Sequence, residues 1–338
     1  MAMQQTTQND FQAKVSSLIS PTCACFQAIS KKYLLFHLGF FALVCLEIIV
    51  VGFFFSFLID SFFFGVALAL VFFTILLYFI LRLYLNEQKP EELIQLRNEY
   101  LTSCKAFLAP GKEASFEHRA LSGAALQLVE NLRDSDFSFY ELPKNLHFLE
   151  EPLSKVVNIY HTKDILKMKE LLIIFAMQQQ MKIIQIDPLS FEAHKNIAAL
   201  ALKLSFLYQS EKETHAKISP QAKNFIEKAL VELKILQQIN PQDISVHEML
   251  ASCWKRLKMK KEEIAEYEIL CRLKASDPNL LFTLGSLYFE IGENAKGLKI
   301  YQELKKFNDA LAHQLIQNYG KFLDVLCSLS PGDLPIAK

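Results

Sequence analysis

The sequence predicts an all-α fold, an N-terminal transmembrane helical hairpin followed by an α-solenoid of short helix pairs. Three observations predict it. From Tyr33 to Leu81 there is no Lys or Arg, and that apolar run is too long for one membrane span and about right for two. Beyond residue 85 apolar residues recur at helical spacing, with no sustained two-residue alternation between hairpin turns. From about Thr162 small and aliphatic residues return at set distances from three prolines.

Residues 1–32 read as a polar cytoplasmic tail, rich in Gln, Thr and Ser. Cys23 and Cys25 stand just before the apolar run, where acylation competes with a bland tail. Residues 33–85 form the expected hairpin, with spans Tyr33–Ile59 and Phe62–Tyr84 broken near Asp60-Ser61, since both residue types cap helices. Of 28 phenylalanines, 13 lie between Phe36 and Phe79. Lys14, Lys31 and Lys32 precede the first span, and Arg82, Lys89 and Arg97 follow the second. The turn has no basic residue, so both termini are expected in the cytoplasm or its topological equivalent.

A cleaved signal peptide fits poorly, because the apolar run is several-fold too long. A re-entrant wedge is the competing reading, although each half is long enough to cross. Glu47 falls mid-span. A protonated carboxyl bonded across the hairpin is preferred over a proton or cation relay, because no second ionisable group lies at its depth.

Residues 86–161 read as a helical connecting region. Pro90 with Glu91 and Glu92 predicts a helix start, carried on by Leu93, Leu96, Tyr100, Cys104 and Phe107. Pro110-Gly111 should end it, a second helix should run about Ser115–Leu132, and a third should begin near Pro143.

Residues 162–338 carry the repeat. Asp187-Pro188, Asn240-Pro241 and Asp277-Pro278 each follow an aliphatic residue five places before the proline: Ile183, Leu236 and Leu273. Twelve before stand Ala176 and Ala229, then Glu266 with Ala265 beside it. Forward of the prolines, Ile197-Ala198 with Ala201, Leu250-Ala251 with Trp254, and Leu284-Gly285 with Tyr288 share one spacing. Small residues let paired helices approach, and an Asp/Asn-Pro step stops one helix and sets up the next.

Leu281, Leu284, Gly285, Tyr288, Gly292, Leu298, Tyr301 and Leu304 resemble the tetratricopeptide repeat, a helix–turn–helix unit of about 34 residues. The resemblance covers about Asp164–Leu304, with a closing helix about Asp309–Leu326. Departures are the intervals of 53 and 37 residues between the prolines and an inserted loop at Ser210–Pro220. Gly297 stands where the family usually has Ala, and the Trp254 repeat lacks the turn glycine. The resemblance implies a groove that binds an extended peptide or a partner helix. Its lining would include Lys195, Ala199, Lys203, Glu248, Ser252, Arg256, Phe282, Ser286 and Glu290. An ordinary solvated face is the alternative. A carboxylate clamp is not expected, because Ala199 stands where that pattern wants Asn.

Composition narrows the function classes. Beyond residue 85 the chain has 32 basic against 33 acidic side chains, so the basic excess of a nucleic-acid binder is missing. The odd count of 7 scattered cysteines suits a reducing compartment. The 8 histidines are dispersed, and no metal, phosphate-loop, dinucleotide or nucleophile-elbow motif is found. The expectation is therefore no enzyme, no cofactor and no metal.

The first functional reading is a membrane-anchored adaptor or scaffold with a protein or peptide partner, in a bacterial inner membrane. The second rests on the first 85 residues, where a long polar N-terminus precedes two apolar lobes and a short turn. That region is similar to the chlamydial inclusion membrane proteins, and this resemblance implies a type III-secreted effector in a host-derived membrane facing the host cytosol. A transporter or channel accessory subunit is the third reading. It would need more spans or oligomerisation around Glu47.

Overall fold

The computed structural model describes residues 2–54, 62–108, 114–132, 150–209 and 218–328. Among them lie eleven helices and no strand. The chain divides into two compact units, Met1–Ile186 and Asp187–Lys338. The predicted breaks at Asp60-Ser61, Pro110-Gly111 and Pro143 fall outside the described residues, as does most of the Ser210–Pro220 loop.

The first unit holds α1 (Ala2–Phe53), α2 (Phe62–Ala106), α3 (Ala114–Asn131) and α4 (Glu150–Ile186). Helices α1 and α2 pair, α3 and α4 pair, and each helix of one pair touches both of the other. Residues 2–32 are the first half of α1 and not the expected polar tail. The physical reason is a buried stripe: Phe11, Val15, Ile19, Thr22, Phe26, Ser30 and Tyr33 recur every three or four places. The bundle also buries Leu93, Leu96 and Tyr100 of α2, Leu121, Ala125 and Leu128 of α3, and Met168, Leu172 and Ala176 of α4.

Pro90 likewise starts no helix; it lies inside α2. Proline cannot donate to the Asn86 carbonyl, which costs a helix interior about 3 kcal/mol. The buried run Leu93, Leu96, Tyr100, Leu101 and Cys104 offsets that cost and carries the helix through. The expected boundary at 161–162 falls in the middle of α4. Several polar side chains inside the bundle are paired across helices. Lys89 Nζ lies 2.6 Å from Asp164 Oδ1, Ser30 Oγ donates to Asp164 Oδ2 at 2.9 Å, and Tyr100 donates to the Ala124 carbonyl at 3.0 Å.

The remaining halves of α1 and α2 pack on each other and leave their outer faces bare. Phe53 is 80 % exposed and Phe62 84 %. Between these halves Thr74 Oγ1 donates to Glu47 Oε1 at 2.8 Å, and the Tyr78 hydroxyl lies 3.2 Å from His37 Nδ1.

The second unit holds α5 (Phe191–Leu207), α6 (Pro220–Ile239), α7 (Ile244–Leu257), α8 (Lys260–Leu273), α9 (Pro278–Glu290), α10 (Asn294–Phe307) and α11 (Asp309–Ser328). Helices pair as α5/α6, α7/α8 and α9/α10, each pair contacts the next through adjoining helices, and α11 packs on α9 and α10. The loop residues act as the sequence suggests. Asp243 accepts from the Val246 N–H at 3.0 Å and Asp277 from the Asn279 N–H at 2.9 Å, with Pro278 in the first turn. Ala198, Ala201, Ala229 and Ala251 are buried where paired helices meet, and Leu284, Leu287, Tyr288 and Ile264 form one core cluster.

Candidate protein-binding groove

The groove residues stand four apart on the first helix of each pair, so each trio shares a helix face. Lys195, Ala199 and Lys203 lie on α5, Glu248, Ser252 and Arg256 on α7, and Phe282, Ser286 and Glu290 on α9. The face is open to different degrees. Lys203, Glu248 and Glu290 are exposed, and the other six are half-buried.

Arg256 does not point a free guanidinium outward. It donates to Ser205 Oγ, to the Ser205 carbonyl at 3.0 Å and to Gln209 Oε1 at 2.9 Å. Its guanidinium carbon also lies 4.0 Å from the centre of the Phe206 ring. A planar fork suits this combination of bonding and stacking, so Arg256 fastens α7 to the C-terminal end of α5. The polar partner Ser205 is buried, so losing the arginine would leave it short of a bond.

The other side chains are held more lightly. Glu248 pairs with Lys274 at 3.1 Å, Glu290 pairs with Lys260, and Ser286 Oγ donates to the Phe282 carbonyl of its own helix at 2.9 Å. Lys195 Nζ lies 5.9 Å from the centre of the Phe191 ring. Exposed ion pairs contribute about 0–1 kcal/mol, so neither glutamate is held tightly by its lysine. Phe282 packs half-buried on the cluster of Leu281, Phe289 and Leu315, and contributes an apolar edge. The charges are ordered by helix: the two lysines are on α5, and the glutamates are on α7 and α9.

Around this face several groups are tuned by burial. Burial pushes the Cys253 thiol up to about 12. It also raises the Glu263 carboxyl above its usual range, against the opposing pull of Lys255 and Lys260. Among the described residues no three His, Cys, Asp or Glu side chains gather as a metal site.

No protein-family model matches the sequence, and no curated protein does. Neither the tetratricopeptide nor the chlamydial resemblance therefore has a family match behind it. Solved structures do resemble the fold weakly. A double mutant of MamA RS-1 is 12 % identical, with 58 % of this chain and 95 % of that one covered and a TM-score of 0.33. MamA from Desulfovibrio magneticus RS-1 gives 12 % identity, 58 % and 96 % coverage and a TM-score of 0.32. A thermophilic TPR protein of Thermus thermophilus gives 14 % identity, 69 % and 98 % coverage and a TM-score of 0.32.

Proposed function

We propose that the chain is a membrane-anchored adaptor. In this reading the apolar halves of α1 and α2 sit in a bilayer with both termini on the cytoplasmic side, and the helix pairs of the second unit recruit a protein or peptide. One observation carries the anchor. Two adjacent helices present bare apolar faces along segments long enough to cross, and only a small share of those segments is buried. A core helix of a soluble protein would have that surface covered, and in water each exposed phenylalanine or leucine forgoes about 1.5–3 kcal/mol of burial. The polar atoms between the helices support the same reading, because Glu47 bonds to Thr74 instead of facing outward.

The recruiting surface is the α5–α7–α9 face. Its charge order favours an extended segment that is acidic where it meets Lys195 and Lys203 and basic where it meets Glu248 and Glu290. Tethering supplies local concentration, so modest affinity suffices. No catalytic role is assigned to any residue.

The full-length chain, mixed with liposomes and washed in alkaline carbonate, should float with the lipid. Free solubility without detergent would sink the anchor. The floated protein should then capture a partner that a Lys195→Glu, Lys203→Glu variant does not. Equal capture by both would remove the groove.

A further inference from the structure

Two histidines occupy the same structural trap in successive helix pairs. His194 on α5 and His247 on α7 each follow a turn proline by six residues, Pro188 and Pro241, and are only 6 % and 1 % exposed. His194 Nε2 lies 3.1 Å from the Pro188 carbonyl oxygen, and Nδ1 lies 2.5 Å from Glu232 Oε2 on α6. His247 repeats the arrangement, with Nε2 3.0 Å from the Pro241 carbonyl oxygen and Nδ1 2.6 Å from Glu266 Oε2 on α8. In the third pair the equivalent place, six residues after Pro278, holds Leu284.

A carbonyl oxygen only accepts, and so does an ionised carboxylate, whereas a neutral imidazole has a single N–H. A ring that makes both bonds must therefore share one proton more than a neutral histidine and a carboxylate bring. That holds whether the proton rests on nitrogen or on the carboxyl oxygen. Both imidazoles are buried, so a missing proton would leave two acceptors facing each other.

We propose that the second unit folds around a proton bound in the His194 trap, and that its loss loosens the turn before α5. From α6 the charged group facing His194 is Glu232, and on α7 the Arg256 guanidinium is turned to Ser205 and Gln209. Facing His247 from α8 is Glu266. One turn earlier on α8, Glu263 lies in the field of Lys255, Lys260 and Glu290. From α6, Lys234 sits 5.8 Å over the Trp254 ring, two turns along α7 from His247.

For His194 the direction of the linkage follows from its environment. Burial disfavours its charge, but the bond to Glu232 and the Pro188 carbonyl outweigh burial and raise its proton affinity above the ordinary value. The stabilisation is then complete below about pH 6.5, the free-imidazole value, and is lost as pH climbs through the raised folded-state value.

Hydrogen exchange of the full chain in detergent micelles, read by mass spectrometry at about pH 6 and about pH 8.5 and corrected for intrinsic rate, tests this. Peptides covering 187–194 should lose protection at the higher pH, because one proton is linked to that turn. Glu232→Gln is the decisive variant, because its amide can donate to a neutral ring and keep both bonds without the extra proton. In that variant the Pro188 turn should stay protected at both values. Equal protection of wild-type 187–194 at both values, or an unchanged response there in Glu232→Gln, would overturn the proposal. If that variant does not fold, the wild-type His194 ring resonance decides, and titration at or below the free-imidazole value overturns it.

Discussion

The ring of Phe289 fills the space in which a side chain on Gly297 would stand: a β-carbon there would come within 2.4 Å of Phe289 Cε1. This explains why glycine occupies a place where the tetratricopeptide pattern has alanine. Phe289 is buried and stacks on Tyr319 with ring centres 4.3 Å apart, so it cannot swing aside cheaply. Gly297→Ala should destabilise the second unit by about 1–3 kcal/mol, overriding the ~1 kcal/mol that alanine ordinarily adds to a helix. Phe289→Leu in the same chain should return part of the loss in a denaturant titration. Gly285→Ala should cost less, because its nearest obstacle is the end of a leucine side chain, Leu315 Cδ2 at 2.7 Å.

Lys258 takes the place of the missing turn glycine. Its φ is 60°, and Gly292, at the equivalent place in the next pair, has φ 82°. The hydrogen bonds match as well: Met259 N–H donates to Trp254 O at 3.0 Å, and Glu293 N–H donates to Tyr288 O at 2.9 Å. A left-handed conformation costs a residue with a β-carbon roughly 1 kcal/mol. Lys258→Gly should therefore raise the thermal midpoint of the second unit, whereas Gly292→Ala should lower it.

Arg256→Lys should weaken the unit by about 1–2 kcal/mol even though the charge is kept, because an ammonium cannot reproduce the fork to Ser205 and Gln209. Arg256→Glu should unfold more than it reverses a binding preference. Denaturation midpoints for the two variants equal to the wild type would show that the guanidinium fastens nothing.

Thiol reactivity should follow burial. Cys25 is exposed, whereas burial pushes the Cys104 and Cys253 thiols up to about 11 and about 12. At about pH 8 an alkylating reagent should mark Cys25 in native protein and reach Cys104 and Cys253 only in denaturant, as peptide masses would show. Fast native labelling of Cys253 would contradict its burial.

Much of the fold was legible because it is written locally. Proline after Asp or Asn, an alanine or glycine at the close approach and apolar residues at helical spacing recur within each pair, and α5 to α11 follow them. The misreadings share a cause. Thr22 and Ser30 put polar side chains in the buried stripe and Pro21 lies inside the helix, so residues 2–32 read as a tail. Pro90 has every local mark of a helix start, yet the buried face beyond it continues a helix that began at Phe62. Of the groove, the spacing of four was visible, but the engagement of Arg256 was not. The two histidine traps were equally hidden, since His194 bonds Glu232 from another helix and dispersed histidines look idle in a line of text.

By itself the sequence determined that the chain is helical, that some fifty residues are apolar enough to demand shelter from water, and where the helix pairs turn. These follow from backbone preferences and periodicity, which act over a few residues. Only the tertiary structure decided which polar groups are spent on the protein itself. Asp164 is taken by Lys89 and Ser30, Ser205 by Arg256, and Glu266 by His247. Those partners lie on different helices, and nothing short of packing them together fixes which donor reaches which acceptor.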